Sequence, residues 1–335
     1  MYNFCTLFNS FYLVKGLAMQ RSLLQRSPGS HLYILAMDDF TRQYLLDAEL
    51  VNVTVIALKN FENEELLAVK KKRTVAEYCW TCSSSLISYC IETYHLPSCT
   101  YVDADIYFYQ DPGILLSELT QNKAQVLITE HGFDEEHKHL EAYGRFCIQF
   151  LCFTNHPEAK KILNTWKEEC IDWCYSWAEK GRFGDQKYLD DWPERYDAVH
   201  ILGNTGALAP WNISRFNVIE DGNKNFMVRE KKTNISVPLV LYHFHDLKFY
   251  KNNTLCLVNG YDVSEVTGSL YYPYMSLLAR IEKSITDKYS SFQPEKMLPE
   301  FINDTFLRSM RARFQVIMRK QKIKRSQKRS RASQN

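Results

Sequence analysis

The 335-residue sequence lacks any run of about 18 uncharged apolar residues, so it predicts no transmembrane helix. Its first residues, MYNFCTLFNSFYLVKGLAM, contain neither the basic segment nor the small-residue cleavage site that a secretory signal peptide needs. We therefore interpret residues 2–7 as a strand that is followed by a helix, and we expect a cytoplasmic protein.

The sequence also lacks internal repeats, low-complexity blocks and any long linker rich in Pro, Gly or Ser. For a chain of this length, one large domain with a C-terminal appendage is the simplest organisation. We expect a main domain over residues 1–255, an extension packed on it over 256–305, and a basic tail over 306–335.

The ten cysteines do not form the two closely spaced pairs that are typical of zinc sites. Cys79 and Cys82 form one C-x-x-C pair, but a second pair with suitable spacing is absent. In a long chain that is expected in the cytoplasm, buried reduced thiols are favoured over disulfides, zinc or redox chemistry.

Acidic residues are absent from the end of the chain, where residues 308–335 contain eleven Lys or Arg residues. The rest of the chain has 30 basic and 39 acidic residues, a net charge of −9. Phe306, Met310, Phe314 and Ile317 recur at helical spacing, which favours a basic amphipathic helix on an anionic membrane surface. The alternatives are a helix packed on the domain with a solvated end, and a salt-sensitive contact with nucleic acid.

Strand and helix patterns alternate through residues 2–130. The predicted strands are 2–7, 31–37, 51–58, 99–102 and 125–129, and the predicted helices are 11–26, 39–48, 61–71 and 74–94. This order indicates an α/β fold in which helices flank a mostly parallel sheet. Beyond it, we predict strands over 145–153, 196–202 and 238–244 and a long helix over 157–179.

Two carboxylates follow a predicted buried strand at Asp103-Ala104-Asp105. A buried strand that ends in two acids needs compensation of their charge, and a hard divalent cation such as Mg²⁺ or Mn²⁺ supplies it. A strand end is also where the ligand crevice of an α/β sheet opens. A solvated loop is the alternative, since short D-x-D strings are common in loops.

Two further segments carry side chains suited to a polar ligand. Asp185 and Gln186 follow a glycine in a turn, where they could stabilise developing positive charge, or Asp185 could cap the next helix. His243 and His245 point to one face if strand alternation continues, and Lys248 follows them. They could complete a metal site and bind a diphosphate, whereas histidines hydrogen-bonded within the core are the alternative.

The segment GNTGALAPWN, at residues 203–212, permits a tight turn close to a ligand. Trp211, next to Asn212, offers an apolar face on which a sugar ring could lie. A structural turn with a buried tryptophan is the alternative.

The order of these motifs resembles that of the GT-A nucleotide-sugar glycosyltransferases of the glycogenin and lipopolysaccharide-galactosyltransferase type. The matching residues are Thr6, Leu7, Asn9 and Tyr12, the D-x-D at 103–105, the GDQ at 184–186 and the HFH at 243–245. The strings RFGDQKYLDDWP, GALAPWN and YHFHDLK also resemble a bacterial group of polysaccharide-assembly glycosyltransferases. The resemblance covers residues 2–250 and implies a Rossmann-like GT-A catalytic domain.

The resemblance implies roles for the matching residues. Asp103 and Asp105 would bind the donor ribose and a Mn²⁺ or Mg²⁺ on its diphosphate, and His243 (alternatively His245) would complete the metal site. The other residues implied at the donor are Thr6, Leu7, Asn9 and Tyr12 for uracil and ribose, Ala104 within the D-x-D, Arg73 for phosphates or sugar, Lys248 for the leaving diphosphate, and Asp185 with Gln186 for the donor sugar.

The implied reaction moves a hexose from a nucleotide sugar, with UDP favoured, to a glycan or a lipid-linked glycan. The resemblance favours retention of configuration; an inverting transfer would need a general base, and Glu130 and His131 after the strand 125–129 are candidates. Attachment through the tail would place the enzyme on the cytoplasmic face of the inner membrane. The alternative functions are an inactive nucleotide-sugar-binding protein and a basic-tailed scaffold.

The sequence departs from the family at two places. Cys147-Ile148-Gln149 stands where the family often has Asn-x-Gly, so the family's sugar contacts at this position do not carry over to these residues by resemblance. Asp246 replaces the glycine that usually follows the histidine pair, which adds a negative charge near the expected phosphates.

Overall fold

The structure is a computed structural model that describes residues 1–221, 225–249 and 255–292. The predicted basic tail at 306–335 lies outside the described residues. The strands are β1 (Asn3–Phe8), β2 (His31–Ala36), β3 (Val53–Ala57), β4 (Ser98–Val102), β5 (Ile106–Phe108), β6 (Val126–Glu130), β7 (Phe146–Thr154), β8 (Val199–Ile201), β9 (Ala207–Leu208), β10 (Phe216–Glu220), β11 (Phe226–Glu230), β12 (Ser236–Pro238), β13 (Leu241–His243), β14 (Lys248–Phe249) and β15 (Leu255–Cys256).

The α-helices are α1 (Leu13–Arg26), α2 (Asp39–Asp47), α3 (Leu58–Phe61), α4 (Glu64–Lys70), α5 (Val75–Thr93), α6 (Gly113–Gln121), α7 (Pro157–Asp172), α8 (Trp192–Arg195) and α9 (Tyr272–Lys288). Short 3₁₀-helices lie at Lys138–Tyr143, Lys187–Asp191 and Ile213–Arg215, and a π-helical turn at Thr267–Tyr271 precedes α9.

A seven-stranded sheet in the order β3-β2-β1-β4-β7-β6-β8 forms the centre of the fold. Its strands are parallel except β7, which runs antiparallel to both β4 and β6. This arrangement confirms the predicted α/β class, with a mostly parallel sheet between helices.

Side-chain alternation along β1 explains why helices cover both faces of the sheet. Cys5 and Leu7 belong to the core cluster that includes residues of α5 and α7. Phe8 faces the other side, where its ring lies under Gly16 of α1. A strand buried on both faces reads as the continuous apolar run NFCTLF, which is why the sequence predicts it.

A smaller sheet, β5-β13-β9, brings a distant part of the chain to the D-x-D. β13 pairs antiparallel with β5, and in this register His243 lies opposite Ile106. The backbone N–H of Phe244 donates to the carbonyl of Asp105 over 2.9 Å. These short strands therefore fix His243 beside the carboxylates.

Two helix predictions need correction. The predicted helix at 157–179 ends at Asp172, because the next residues bond elsewhere: both the backbone N–H and the hydroxyl of Ser176 donate to Glu77, each over 2.9 Å. The predicted helix at 61–71 starts only at Glu64, because the Asn63 side chain accepts from the N–H of Leu66 and caps α4.

The described residues fall into two compact units, one that contains those up to 247 and from 257 to 292, and the other that contains 248–249 and 255–256. In the first unit, α9 packs against α1, and Tyr289 donates from its hydroxyl to Asp47 over 2.5 Å. In the second, the described residues form the antiparallel pair β14 and β15. None of the helices described here combines the length and the apolarity needed to cross a membrane.

Candidate functional site

The D-x-D lies at a topological switch point of the main sheet. The chain runs from β1 to β2 on one side and returns to β4 on the other, so a crevice opens where the carboxyl ends of β1 and β4 part. Asn9 and Tyr12 follow β1 there, and Asp103 to Asp105 follow β4. This is the place where an open α/β sheet binds ligands.

His243 is held between two polar groups. Its Nε2 atom lies 2.9 Å from Oδ1 of Asp105 and 3.8 Å from Oδ2 of Asp103. Its Nδ1 atom lies 2.9 Å from Oε1 of Gln149, a side chain that is fully buried. Since an amide oxygen only accepts, Nδ1 carries a proton, and Nε2 is the atom turned towards the two carboxylates.

The charges in this cluster shift each other's pKa values. Burial lowers the pKa of His243, but Asp105 and Asp103 outweigh burial and the net pKa is raised. Burial raises the pKa of Asp103 to about 6, with His243 opposing it and Asp105 adding to it. Burial also raises that of Asp105, but His243 and Lys15 reverse this and hold its pKa well below the ordinary value.

Lys15 is a site residue that the sequence gives no direct means of finding. Its Nζ atom lies 3.5 Å from Oδ2 of Asp105 and 4.6 Å from the ring centroid of Tyr12. The residue is only 9% exposed, which is unusual for a lysine and follows from this pairing. The one signal is its position, three residues after Tyr12 in the first turn of α1.

Asp185 lies buried near Asp103. Ser83 of α5 donates to its Oδ2 over 2.9 Å, and the indole N–H of Trp166 donates to its carbonyl over 2.8 Å. Burial raises the pKa of Asp185 to about 7; the Ser83 hydrogen bond opposes this rise and the charge of Asp103 adds to it. Near neutral pH, this carboxyl group therefore exists in both protonation states.

Gln186 and Arg73 donate hydrogen bonds to neighbouring protein groups. The Gln186 amide donates to the carbonyl of Tyr143 over 3.0 Å. The Arg73 guanidinium donates to Thr81 and, over 2.7 Å, to the carbonyl of Ile171. Arg73 thereby ties the start of α5 to the end of α7.

Trp211 is 4% exposed and stands among histidine rings. Its ring centroid lies 5.3 Å from that of His243, 5.4 Å from that of His245 and 5.0 Å from that of His131. The Asn212 amide donates to the carbonyl of His131 over 2.9 Å and accepts from the N–H of Ala209 over 3.0 Å. Both polar ends of Asn212 are thus bonded to backbone.

The two residues at the end of β6 differ in environment. Glu130 is partly exposed and pairs with Arg145, at 2.7 Å from its Nε. His131 is 6% exposed, and its ring stacks on Phe133 at a centroid distance of 4.7 Å. Burial lowers the pKa of His131 to about 3, so the ring is neutral at pH 7.

The remaining predicted residues occupy varied positions. Thr6 is fully buried within β1, and Leu7 and Ala104 are each 7% exposed. His245 is exposed and lies 5.5 Å from His243 between ring centroids. Lys248 begins β14 in the second unit.

The cluster has donors that fit a divalent cation. Two carboxylates and one imidazole form an oxygen and nitrogen set that suits Mn²⁺ and, less well, Mg²⁺, which prefers oxygen alone. Ligand atoms of Asp103, Cys147 and His243 all lie within 4.8 Å of one another. Among the described side chains, the buried Gln149 Nε2 and Trp211 Nε1 lack hydrogen-bond partners, which leaves donors for a ligand beside the cluster.

Two Bacillus subtilis (strain 168) proteins are similar to the chain in sequence. The uncharacterised protein YfnD is 28% identical over 310 residues, which cover 89% of this chain and 97% of YfnD. The uncharacterised protein YfnF is 27% identical over 269 residues, which cover 75% of this chain and 84% of YfnF. No protein-family model matches the chain.

Solved structures that are similar to the chain include two glycosyltransferases. One is the galactosyltransferase LgtC in complex with donor and acceptor sugar analogues, at 12% identity and a TM-score of 0.47, covering 80% of this chain and 100% of LgtC. The other is mouse xyloside xylosyltransferase 1 in its apo form, at 13% identity and a TM-score of 0.46, covering 76% of this chain and 99% of that enzyme.

Proposed function

We propose that the chain is a metal-dependent glycosyltransferase that moves a hexose from a nucleotide-diphosphate sugar, with UDP as the favoured nucleotide, to a glycan or lipid-linked glycan. The observation that supports it best is the convergence of Asp103, Asp105, His243 and Lys15 at the switch-point crevice. Paired carboxylates, an imidazole and a buried ammonium suit a cation and a diphosphate. The sequence motifs in this crevice have the order of those of nucleotide-sugar transferases.

On the donor side, Asp103, Asp105 and His243 would hold Mn²⁺ or Mg²⁺. When bound, the ion would stabilise negative charge on the departing nucleoside diphosphate. Lys15 holds Asp105 in place and adds a positive charge at the same position. Thr6, Leu7, Asn9 and Tyr12 are assigned to the nucleoside, and Lys248 to the leaving diphosphate, on the motif resemblance.

On the sugar side, Asp185 and Gln186 are assigned to the anomeric carbon, which becomes oxocarbenium-like as the sugar–phosphate bond breaks. Ser83 and Trp166 fix the position of Asp185 through its carboxylate and its carbonyl. An ionised Asp185 would stabilise that positive charge. We propose retention of configuration on the same resemblance.

On the acceptor side, Glu130, His131, Trp211 and Asn212 line the end of β6 and the adjacent turn. His131 is neutral and fixed by stacking, so its buried ring suits a positioning role. Glu130 is more exposed than His131, and its carboxylate is the candidate to bind the acceptor hydroxyl. We further propose that the tail at 306–335 attaches the enzyme to an anionic membrane that carries the acceptor.

A panel of nucleotide sugars, assayed for nucleotide release with Mn²⁺ and with EDTA, tests the proposal. We expect one donor to release its nucleotide with Mn²⁺ and not with EDTA. Binding of UDP without any turnover would instead support an inactive sugar-nucleotide-binding protein. If no nucleotide binds, and deletion of 306–335 removes the only measurable membrane or nucleic-acid binding, the chain is a basic-tailed scaffold.

A further inference from the structure

Cys147 lies on the strand face that meets the metal cluster. Cys147 and Gln149 are two residues apart in β7, so their side chains point to the same face of the sheet. Gln149 contacts His243 directly, and the Cys147 sulfur lies within 4.8 Å of ligand atoms of both Asp103 and His243. The residue is 5% exposed and packs with Trp211.

We propose that Cys147 is a sulfur ligand of the metal ion that Asp103 and His243 hold. The inference rests on the proposed metal site, and it extends it by naming the class of ion. A thiolate, an imidazole and carboxylates form a softer donor set than oxygen alone. The site therefore prefers thiophilic divalent ions such as Co²⁺ and Zn²⁺ over Mg²⁺.

The required movement is small. Ligand atoms on one tetrahedral ion lie roughly 3.3 to 3.8 Å apart, given metal–sulfur and metal–nitrogen bonds of about 2.3 and 2.0 Å. The observed separations already lie within 4.8 Å, so the ligand atoms need to approach one another by at most about 1.5 Å. Binding forms a metal–sulfur bond and breaks the S–H bond of Cys147, whose proton leaves to solvent. No oxidant or reductant is needed.

Cobalt(II) added to the metal-free full-length protein tests the ligand directly, because a thiolate on Co²⁺ produces a near-ultraviolet charge-transfer band. We expect the band in the wild type and its loss in Cys147→Ser. Cys152→Ser should keep it, because Cys152 lies five residues further along β7, where it pairs with Thr100 of β4. Cys99→Ser should also keep it, and this control excludes cobalt bound at the separate buried cluster of Cys5, Cys90 and Cys99.

Competition titrations then measure the preference of the site among divalent ions. We expect Cys147→Ser to weaken Co²⁺ and Zn²⁺ binding by about 10- to 100-fold, and Mg²⁺ binding by less than about threefold. A band that persists in Cys147→Ser, or equal losses for all ions, overturns the assignment. Co²⁺ that binds without a charge-transfer band overturns it while leaving the metal site in place. Failure of every divalent ion to bind contradicts the proposed function as well.

Discussion

The Nδ1 atom of His243 lies 2.9 Å from Oε1 of Gln149, and this hydrogen bond determines which ring nitrogen faces Asp105. Both residues are buried, so water cannot replace the bond. Partners of this kind fix the tautomer and orientation of metal-binding histidines. Gln149 is therefore a positioning residue for the proposed metal site.

We expect Gln149→Leu to weaken Mn²⁺ binding by about 10- to 100-fold, because the His243 ring loses the group that orients it. Gln149→Glu keeps an oxygen acceptor for Nδ1 and should bind Mn²⁺ at least as well as the wild type. Isothermal titration calorimetry measures both. Equal affinity in Gln149→Leu and the wild type would show that the hydrogen bond has no such role.

The raised pKa of Asp185 should make the stability of the folded chain depend on pH. Its pKa is about 7 in the folded chain and about 3.9 in an unfolded one, so the folded state binds more protons between these values. Stability should therefore fall as pH rises through this window and level off above it. As pH rises from about 5 to about 8, the free energy of unfolding of Asp185→Asn should increase by a few kcal/mol relative to that of the wild type.

Urea unfolding of both proteins at several pH values, in EDTA, measures this difference. EDTA matters because a cation near Asp103 would favour the ionised form of Asp185. A stability difference that does not change with pH would mean that the carboxyl group titrates normally.

At Gly16 in α1, we expect alanine to be less stable than glycine, which is the reverse of the usual preference in helices. A Cβ atom there would lie 2.5 Å from the nearest ring atom of Phe8, which is buried against the sheet. We expect Gly16→Ala to destabilise the fold by about 1–3 kcal/mol, as overpacked cores do. Gly29→Ala is the control, because nothing lies within 4 Å of the added methyl group. Chemical denaturation should show that Gly16→Ala is clearly less stable than Gly29→Ala. Equal stability of the two variants would contradict the close packing of Phe8 against Gly16.

Asp246 has a backbone φ of +61°, in the region that favours glycine. Asp246→Gly and Asp246→Ala remove the same charge but differ in the Cβ atom. We expect the glycine variant to be more stable than the alanine variant by about 1 kcal/mol. Urea midpoints test this, and a more stable alanine variant would rule out backbone strain at this position.

The sequence predicts the main sheet well, because its buried parallel strands are continuous apolar runs such as NFCTLF. The strands that complete the site are different. Ile106–Phe108 and Ala207–Leu208 are too short for any periodicity, so their pairing with β13 emerges only in the folded chain.

The residues of the candidate site also divide into those that the sequence predicts and those that only the folded chain reveals. The D-x-D is visible in the sequence, because two acids after an apolar strand are unusual. Lys15 and Gln149 are not, since their roles depend on contacts between distant segments. Gln149 reaches His243 because β7 pairs with β4, where the N–H of Asp103 donates to the Gln149 carbonyl over 3.2 Å.

The central claim is that Asp105 helps to hold a metal ion and a nucleotide sugar, and turnover by Asp105→Asn tests it most directly. Asp39→Asn is the matched control, because Asp39 is fully exposed on α2. With the donor found in the panel and saturating Mn²⁺, we expect Asp105→Asn to lose at least about 100-fold in nucleotide release and Asp39→Asn to match the wild type. Wild-type turnover by a folded Asp105→Asn protein would contradict the account.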